Sequence, residues 1–129
     1  SDVLPLTLSG LSYRARQIIV QEVSDIAHYA VAAPGIMMDN IGFGKTPEQS
    51  MTALARLDAL DQFGLPLLVG ASRKRFIASV TPSEPDQRLG GSLAAHLLAA
   101  QRGAKIIRAH DVAETVQALR VASAIEDKR

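Results

Sequence analysis

Three short apolar runs constrain the fold of this chain most strongly. They lie at 36–39, 66–71 and 104–109 and read "IMMD", "PLLVGA" and "AKIIRA". Each run is too short for a helix and is typical of a strand that is buried on both faces. The segments between them have helical apolar spacing and are far longer than a hairpin turn. The pattern therefore predicts an α/β fold with parallel strands joined by crossover helices.

Before the first run, the pattern predicts a helix from Ser12 to about Ala33. Its apolar residues recur at steps of three and four: Ile18, Ile19, Val23, Ile26, Ala27 and Ala30. Such spacing is typical of one helical face. The first ten residues are apolar but are broken by Pro5 and Gly10, which predicts a loop or a short extended piece.

Capping signals predict where the later helices begin and end. Thr46 can cap a helix with Gln49 as its capping-box partner, and Gly64 can end it after about Phe63. The segment "RKRFIASV" predicts a short helix, and a longer one is predicted over 87–102. In the last helix Asp111 is the expected cap, with Glu114 three residues later as its partner; His28 and His96 are interpreted as packing or surface residues of the helices.

Composition excludes several classes of function. The 129 residues are enough for one domain, and a net charge of +1 does not indicate a nucleic-acid partner. Aromatic residues are only 4% of the chain, which argues against a platform that stacks bases. Without cysteine, thiol catalysis and cysteine-bound zinc are excluded. No apolar run approaches a membrane span, so we expect a cytoplasmic protein with no membrane partner.

Polar residues follow each of the three predicted strands. Asp39 comes at the end of the first, Ser72, Arg73 and Lys74 follow the second, and "RAHD" ends the third. Ligands gather at the carboxyl ends of parallel strands. The three clusters therefore predict one shared site for an anionic or polar ligand.

The stretch "DNIGFGKT" ends like a phosphate-binding loop but does not match one. That motif needs a glycine five residues before the Gly-Lys pair, where this chain has Asp39. The segment is then either a plain strand-to-helix turn or a loop whose carboxylate accepts hydrogen bonds from an amino-heterocycle. Phe43 fits beside a flat ring and fits equally well in the core.

The two basic clusters also have two interpretations each. "ASRKRF" is either a solvated basic turn or a clamp that uses Arg73 and Lys74. Arg108 and His110 are two residues apart, so a strand places both on one face, just before a helix N-terminus. This arrangement predicts a phosphate or pyrophosphate site; the alternative is a surface arginine followed by a capping Asp111.

Three segments together carry a family resemblance. They are "DNIGFGKTPEQSMTALARLDAL", "GLPLLVGASRKRFI" and "RLGGSLAAHLLAAQRGAKIIRAHDVAETVQAL". In order and spacing they resemble the C-terminal part of the dihydropteroate synthase family. The resemblance implies that 1–129 form the C-terminal half of a pterin-binding (β/α)8 TIM barrel, with about three parallel strands and flanking helices.

The resemblance also implies an activity. Members of the family are transferases of folate biosynthesis and targets of sulfonamides. They condense 6-hydroxymethyl-7,8-dihydropterin diphosphate with 4-aminobenzoate to 7,8-dihydropteroate and pyrophosphate. They use Mg²⁺, whose ligand is expected in the N-terminal half of the family's barrel. The resemblance leaves open whether the chain forms a homodimer.

By motif, the resemblance implies roles for seven residues, with Asp39 and Lys74 as the catalytic candidates. Asp39 resembles the acid that holds the pterin ring, and Lys74 the lysine between the two substrate pockets. The remaining five resemble substrate-binding residues: Phe43 beside both pockets, Gly70 at the pterin, Ser72 at the aminobenzoate carboxylate, and Arg108 with His110 at the diphosphate.

Two departures from the family pattern leave an alternative open. Asp39 is followed by Asn40 where the family usually has Pro-Gly, and the family's N-terminal half has no counterpart. Three strands cannot close a barrel that needs about 250 residues. We therefore expect the 129 residues alone to be inactive. The alternative is a catalytically incomplete barrel fragment or degenerate homologue that acts only with a partner; an unrelated phosphate-binding module is the third hypothesis.

Overall fold

The computed structural model describes residues 3–8, 17–22, 36–38 and 46–129. The strands are β1 (Val3–Thr7), β2 (Gln17–Glu22), β3 (Ile36–Met38), β4 (Leu67–Val69) and β5 (Ile106–Ala109). The helices are α1 (Pro47–Ala55), α2 (Arg75–Val80), α3 (Leu89–Gln101) and α4 (Val112–Glu126), with 3-10 turns at Leu57–Phe63 and Pro85–Gln87. None of these helices is long and apolar enough to cross a membrane.

The strands form one mixed sheet in the order β1-β2-β5-β4-β3. β3, β4, β5 and β2 run parallel, and β1 pairs with β2 in the antiparallel sense. The three strands predicted from the apolar runs are present and mutually parallel, as expected. Met38 is aligned with Val69, and Val69 with Ile107, so these three strands end at the same edge of the sheet.

The predicted helix over 12–33 is wrong where the chain is described, because Gln17–Glu22 is strand β2. Its centre is Ile18, Ile19 and Val20, whose β-branched side chains favour extended backbone. β2 takes the edge of β5 that β4 leaves open, where the Ile19 amide donates to the Lys105 carbonyl at 2.8 Å. The sheet thus has one parallel strand more than expected. β1 confirms the short extended piece predicted near the N-terminus.

The capping prediction for α1 is confirmed. The Gln49 amide donates to Thr46 Oγ1 at 3.1 Å, and the Thr46 amide donates to Gln49 Oε1 at 2.9 Å. The helix ends at Ala55, earlier than predicted, and a 3-10 turn follows that buries Leu57 completely. Gly64 then reverses the chain with φ of 64°, which glycine adopts without strain.

The core lies between the sheet and the helices. Val20, Val69 and Ile107 point into it from the strands, and Leu54 and Leu119 from α1 and α4. On the other face of the sheet, Leu68 and Ile106 form a second small buried cluster with Ile19. Both faces of β4 are therefore buried, as its unbroken apolar run predicted.

Candidate functional site

The polar residues after β4 and β5 meet at the edge where both strands end. Gly70 and Ser72 follow β4 and are buried, and Lys74, further along the same turn, is half-buried. Arg108 lies within β5 and His110 directly follows it. The alignment of Val69 with Ile107 sets the two segments side by side.

Ser72 and His110 are in direct contact, although 38 residues separate them. The His110 amide donates to Ser72 Oγ at 3.2 Å, and the ring Nδ1 shares a hydrogen bond of 2.9 Å with the same oxygen. Ser72 is 4% exposed, while His110 is at the surface. The hydroxyl is therefore fixed by both the backbone and the ring of His110, a residue at the surface.

Arg73 and Asp111 form a second link between the two strand ends. Arg73 Nη2 lies 3.0 Å from Asp111 Oδ1, and Nε lies 3.4 Å from Oδ2. This hydrogen-bonded contact raises the pKa of Arg73. The predicted capping box of Asp111 with Glu114 is wrong, because the Asp111 side chain makes no capping bond. A guanidinium fork offers its carboxylate two charge-assisted hydrogen bonds, which outcompete a neutral amide.

Two residues of the α3 N-terminus, which sequence reasoning missed, hold the backbone of Arg73. Its amide donates to Ser92 Oγ at 2.8 Å, and its carbonyl accepts from Arg88 Nη1 at 3.0 Å. Both partners are buried. They belong to "RLGGS", which carried the family resemblance but gave no sign of a contact with Arg73, because the pairing depends on how α3 packs. Arg73 adopts φ of 57°, which is uncommon for a residue other than glycine.

His110 lies in a positive environment. Partial burial of the ring lowers the pKa of His110, the charge of Arg73 lowers it further, and Arg108 and Lys74 act in the same direction against Asp111. These effects together favour the neutral form of the ring. An anion among these groups would favour the protonated ring, because opposite charge stabilises the charged form. The arrangement can bind an anion and can exchange a proton with it.

His96 is buried behind this edge and links two helices. Its Nδ1 lies 3.0 Å from Thr115 Oγ1, and both residues are almost completely buried. Burial lowers the pKa of His96 to about 4; the charge of Asp111 opposes this shift, and His110 acts in the same direction as burial. The interpretation of His96 as a packing residue is confirmed.

Asp39 and Phe43 fall outside the described residues, and so does His28. Met38, the residue before Asp39, is the last residue of β3 and is aligned with Val69. The predicted site residues that the structure brings to one edge are Gly70, Ser72, Lys74, Arg108 and His110.

The strand-end groups do not fit a magnesium ion. Mg²⁺ prefers carboxylate and water oxygens in octahedral geometry. Among the described groups Arg73, Lys74 and Arg108 are cationic, and the carboxylate of Asp111 is paired with Arg73. Across the part of the chain that the structure describes, no three His, Asp or Glu side chains cluster as a metal site would require.

A large apolar cavity lies elsewhere, among α1, α2 and α3. It has a volume of about 590 Å³, and its lining includes Met51, Leu54, Ile77, Gly91 and Leu98. Neither Ser72 nor His110 contributes to it. The polar groups at the strand ends therefore lie outside this cavity.

Comparison with known proteins agrees with the resemblance seen in the sequence. The family model described as "Pterin binding enzyme" matches residues 11–110. The dihydropteroate synthase of Escherichia coli (strain K12) is 43% identical over 115 residues, which cover 85% of this chain and 41% of that protein. The chain thus spans about two fifths of the length of this curated relative.

Solved structures match with similar coverage. A dihydropteroate synthase from Xanthomonas albilineans in complex with 7,8-dihydropteroate has a TM-score of 0.63 and 52% identity, over 66% of this chain and 34% of its own. The Yersinia pestis dihydropteroate synthase in a sulfonamide drug complex has a TM-score of 0.64 and 44% identity, over 69% and 32%.

Proposed function

The chain belongs to the family of pterin-binding enzymes, and on that premise we propose that it carries substrate-binding groups of a dihydropteroate synthase. The reaction joins 6-hydroxymethyl-7,8-dihydropterin diphosphate to 4-aminobenzoate and yields 7,8-dihydropteroate and pyrophosphate. The observation that carries the proposal is the contact between Ser72 and His110 at 2.9 Å, within a cation-rich edge of parallel strands. Residues 1–129 would then form the C-terminal half of a (β/α)8 barrel.

Each described strand-end residue has a role that its chemistry suits. Arg108 and His110 bind the diphosphate, since they add positive charge or a ring donor beside the N-terminus of α4. Ser72 binds the aminobenzoate carboxylate through its hydroxyl. Lys74 lies between the two pockets as a compact donor, and Gly70 leaves room for the pterin at the end of β4.

Asp39 and Phe43 complete the proposed site. Asp39 accepts hydrogen bonds from the amino-heterocycle of the pterin, and Phe43 packs beside the rings. The alignment of Met38 with Val69 supports this assignment, because it brings the chain to the same edge one residue before Asp39. Asp39 and Lys74 are the proposed catalytic residues.

The chemistry follows from positioning and charge. The bond between the pterin methylene carbon and the diphosphate oxygen breaks, and its electron pair leaves with pyrophosphate. Cationic groups at the strand ends stabilise that developing charge. The aromatic amine of 4-aminobenzoate then forms the new C–N bond and loses a proton. Holding both substrates in line provides much of the rate, and no covalent enzyme intermediate is needed.

A second candidate is a catalytically incomplete barrel unit that acts only with a partner, which could be a second copy. It is favoured by the open sheet of the described residues, whose edge strands are β1 and β3. Such a unit would bind substrate fragments without turning them over.

One experiment tests both functions. Pyrophosphate release from both substrates is measured with the 129-residue chain, and the affinity for pyrophosphate alone is measured by calorimetry. Binding without turnover is the expected result and supports the substrate-binding role, whereas turnover would contradict the expected inactivity of these residues and exclude the incomplete unit. Arg108→Ala should abolish the binding, whereas Arg120→Ala, an exposed arginine on α4, should leave it unchanged. If pyrophosphate does not bind at all, both functions are wrong.

A further inference from the structure

The turn after β4 has an unfavourable backbone at its centre. Arg73 lies between Ser72 and Lys74, two of the proposed substrate-binding residues, and adopts φ of 57°. Residues other than glycine rarely adopt this left-handed backbone conformation, and they keep it only where surrounding contacts hold them there. The direction of Ser72 and Lys74 therefore depends on whatever holds Arg73.

The contacts that hold the backbone of Arg73 come from the first turn of α3 and the residue before it. Ser92 Oγ accepts from the Arg73 amide at 2.8 Å, and Arg88 Nη1 donates to the Arg73 carbonyl at 3.0 Å. Arg88 is itself anchored, because its Nη2 donates to the Ser83 carbonyl at 2.7 Å. Ser92 and Arg88 are 1% and 8% exposed, so solvent does not compete effectively for these bonds.

We propose that Arg88 and Ser92 are positioning residues of the strand-end site. They bind the backbone amide and carbonyl of Arg73, and they thereby keep Ser72 in contact with His110. Neither residue needs to touch a ligand. This role deepens the proposed function, and its consequence for ligand binding rests on that function.

An ordinary packing role of α3 would give a different result. If Ser92 and Arg88 only stabilised the fold, substitutions would lower the free energy of unfolding and leave the folded site unchanged. If they position the turn, the folded protein itself changes at His110. The ring of His110 is therefore the reporter, and its NMR titration needs no substrate.

The expected direction follows from the charges around His110. Partial burial and the charges of Arg73, Arg108 and Lys74 lower its pKa, and Asp111 opposes them. When the turn relaxes, Ser72 and the two cations that follow it in sequence, Arg73 and Lys74, move away from the ring. The pKa of His110 then rises toward its ordinary value, and the ring nitrogen signal loses the signature of the bond to Ser72 Oγ.

The test compares three variants of the whole chain. Ser92→Ala removes one holding contact, and Arg88→Lys keeps the charge but loses the guanidinium fork. Ser50→Ala is the matched control, because Ser50 is also buried on a helix while its Oγ has no hydrogen-bond partner within the described residues. We expect the His110 titration to shift in Ser92→Ala and Arg88→Lys and to stay at the wild-type value in Ser50→Ala.

Pyrophosphate affinity is measured on the same samples. A lost hydrogen bond behind the site predicts a Kd about five- to tenfold higher in Ser92→Ala and Arg88→Lys. Should wild type fail to bind pyrophosphate, the proposed function falls, while the His110 titration still judges the positioning role. The positioning role would be overturned if His110 titrated as in wild type in both folded variants, or if Ser50→Ala shifted its titration as much as they do. If Ser92→Ala does not fold, Arg88→Lys decides alone.

Discussion

Gly91 of α3 lies so close to Ile77 of α2 that a β-carbon on Gly91 would stand 2.4 Å from Cγ2 of Ile77. That methyl group is attached to a β-branched, buried side chain, so it cannot move aside easily. The two helices therefore meet at the glycine, on one wall of the apolar cavity. The neighbouring Gly90 has open space where its β-carbon would be.

We predict opposite effects of the same substitution at these two glycines. Gly91→Ala should lower the free energy of unfolding by about 1–3 kcal/mol, the usual penalty for overpacking, less the gain in helix propensity. Gly90→Ala gains helix propensity without overpacking and should raise the free energy of unfolding by up to about 1 kcal/mol. Urea unfolding of both variants checks this, and equal changes at the two sites would contradict the close contact.

Local signals in the sequence predicted the parts of the fold that depend on near neighbours. The capping box of Thr46 and Gln49 involves four consecutive residues, and the apolar runs of β4 and β5 each carry their own burial pattern. The shared edge of the sheet followed from them, because parallel strands with crossover helices end on the same side.

Contacts between distant segments could not be predicted in this way. Asp111 has the local pattern of a helix cap, yet Arg73, 38 residues away, takes its carboxylate. Ser92 likewise looks like an ordinary helix residue until α3 packs against the turn after β4. β2 was mistaken for helix because Ile18 and Ile19 fit helical spacing, while pairing with β5 decides its conformation.

A lysine pair tests whether the basic turn binds substrate. Lys74→Ala should weaken pterin binding about 10- to 100-fold, the loss expected for a hydrogen bond to a charged group. Lys105→Ala removes the same charge just before β5, at the opposite end of the strand from His110, and should leave the affinity unchanged. Fluorescence titration with a pterin measures both. Unchanged binding in Lys74→Ala would mean that the turn is only a solvated basic surface.

The cap of α1 gives a test of the local structure alone. Thr46→Ala removes the acceptor of the Gln49 amide and should lower the free energy of unfolding by about 1 kcal/mol. Thr52→Ala is the control, because Thr52 is exposed within the same helix, where alanine has the higher helix propensity. Thermal unfolding of the two variants should therefore shift in opposite directions; a loss in both would place the effect of Thr46 outside the cap.

His96 predicts how stability depends on pH. Its pKa is about 4 in the folded protein and about 6.5 in an unfolded chain. Between these values the unfolded chain binds a proton that the folded protein does not. The contribution of His96 to the free energy of unfolding is therefore fully present above about pH 6.5 and is lost as pH drops toward 4. By this linkage, about 2 kcal/mol should be lost between pH 7 and pH 5.

Two histidine variants isolate this effect. His96→Gln keeps an amide that can bond to Thr115 Oγ1 but does not titrate, so the loss of stability between pH 7 and pH 5 should shrink by about 2 kcal/mol. His110→Gln removes the other described histidine with a lowered pKa, which lies at the protein surface. It should reduce the pH dependence of the free energy of unfolding less than His96→Gln does. Urea unfolding across this pH range gives the three profiles. If wild type and His96→Gln lose the same stability, His96 is protonated in the folded protein and its burial does not exclude the charge.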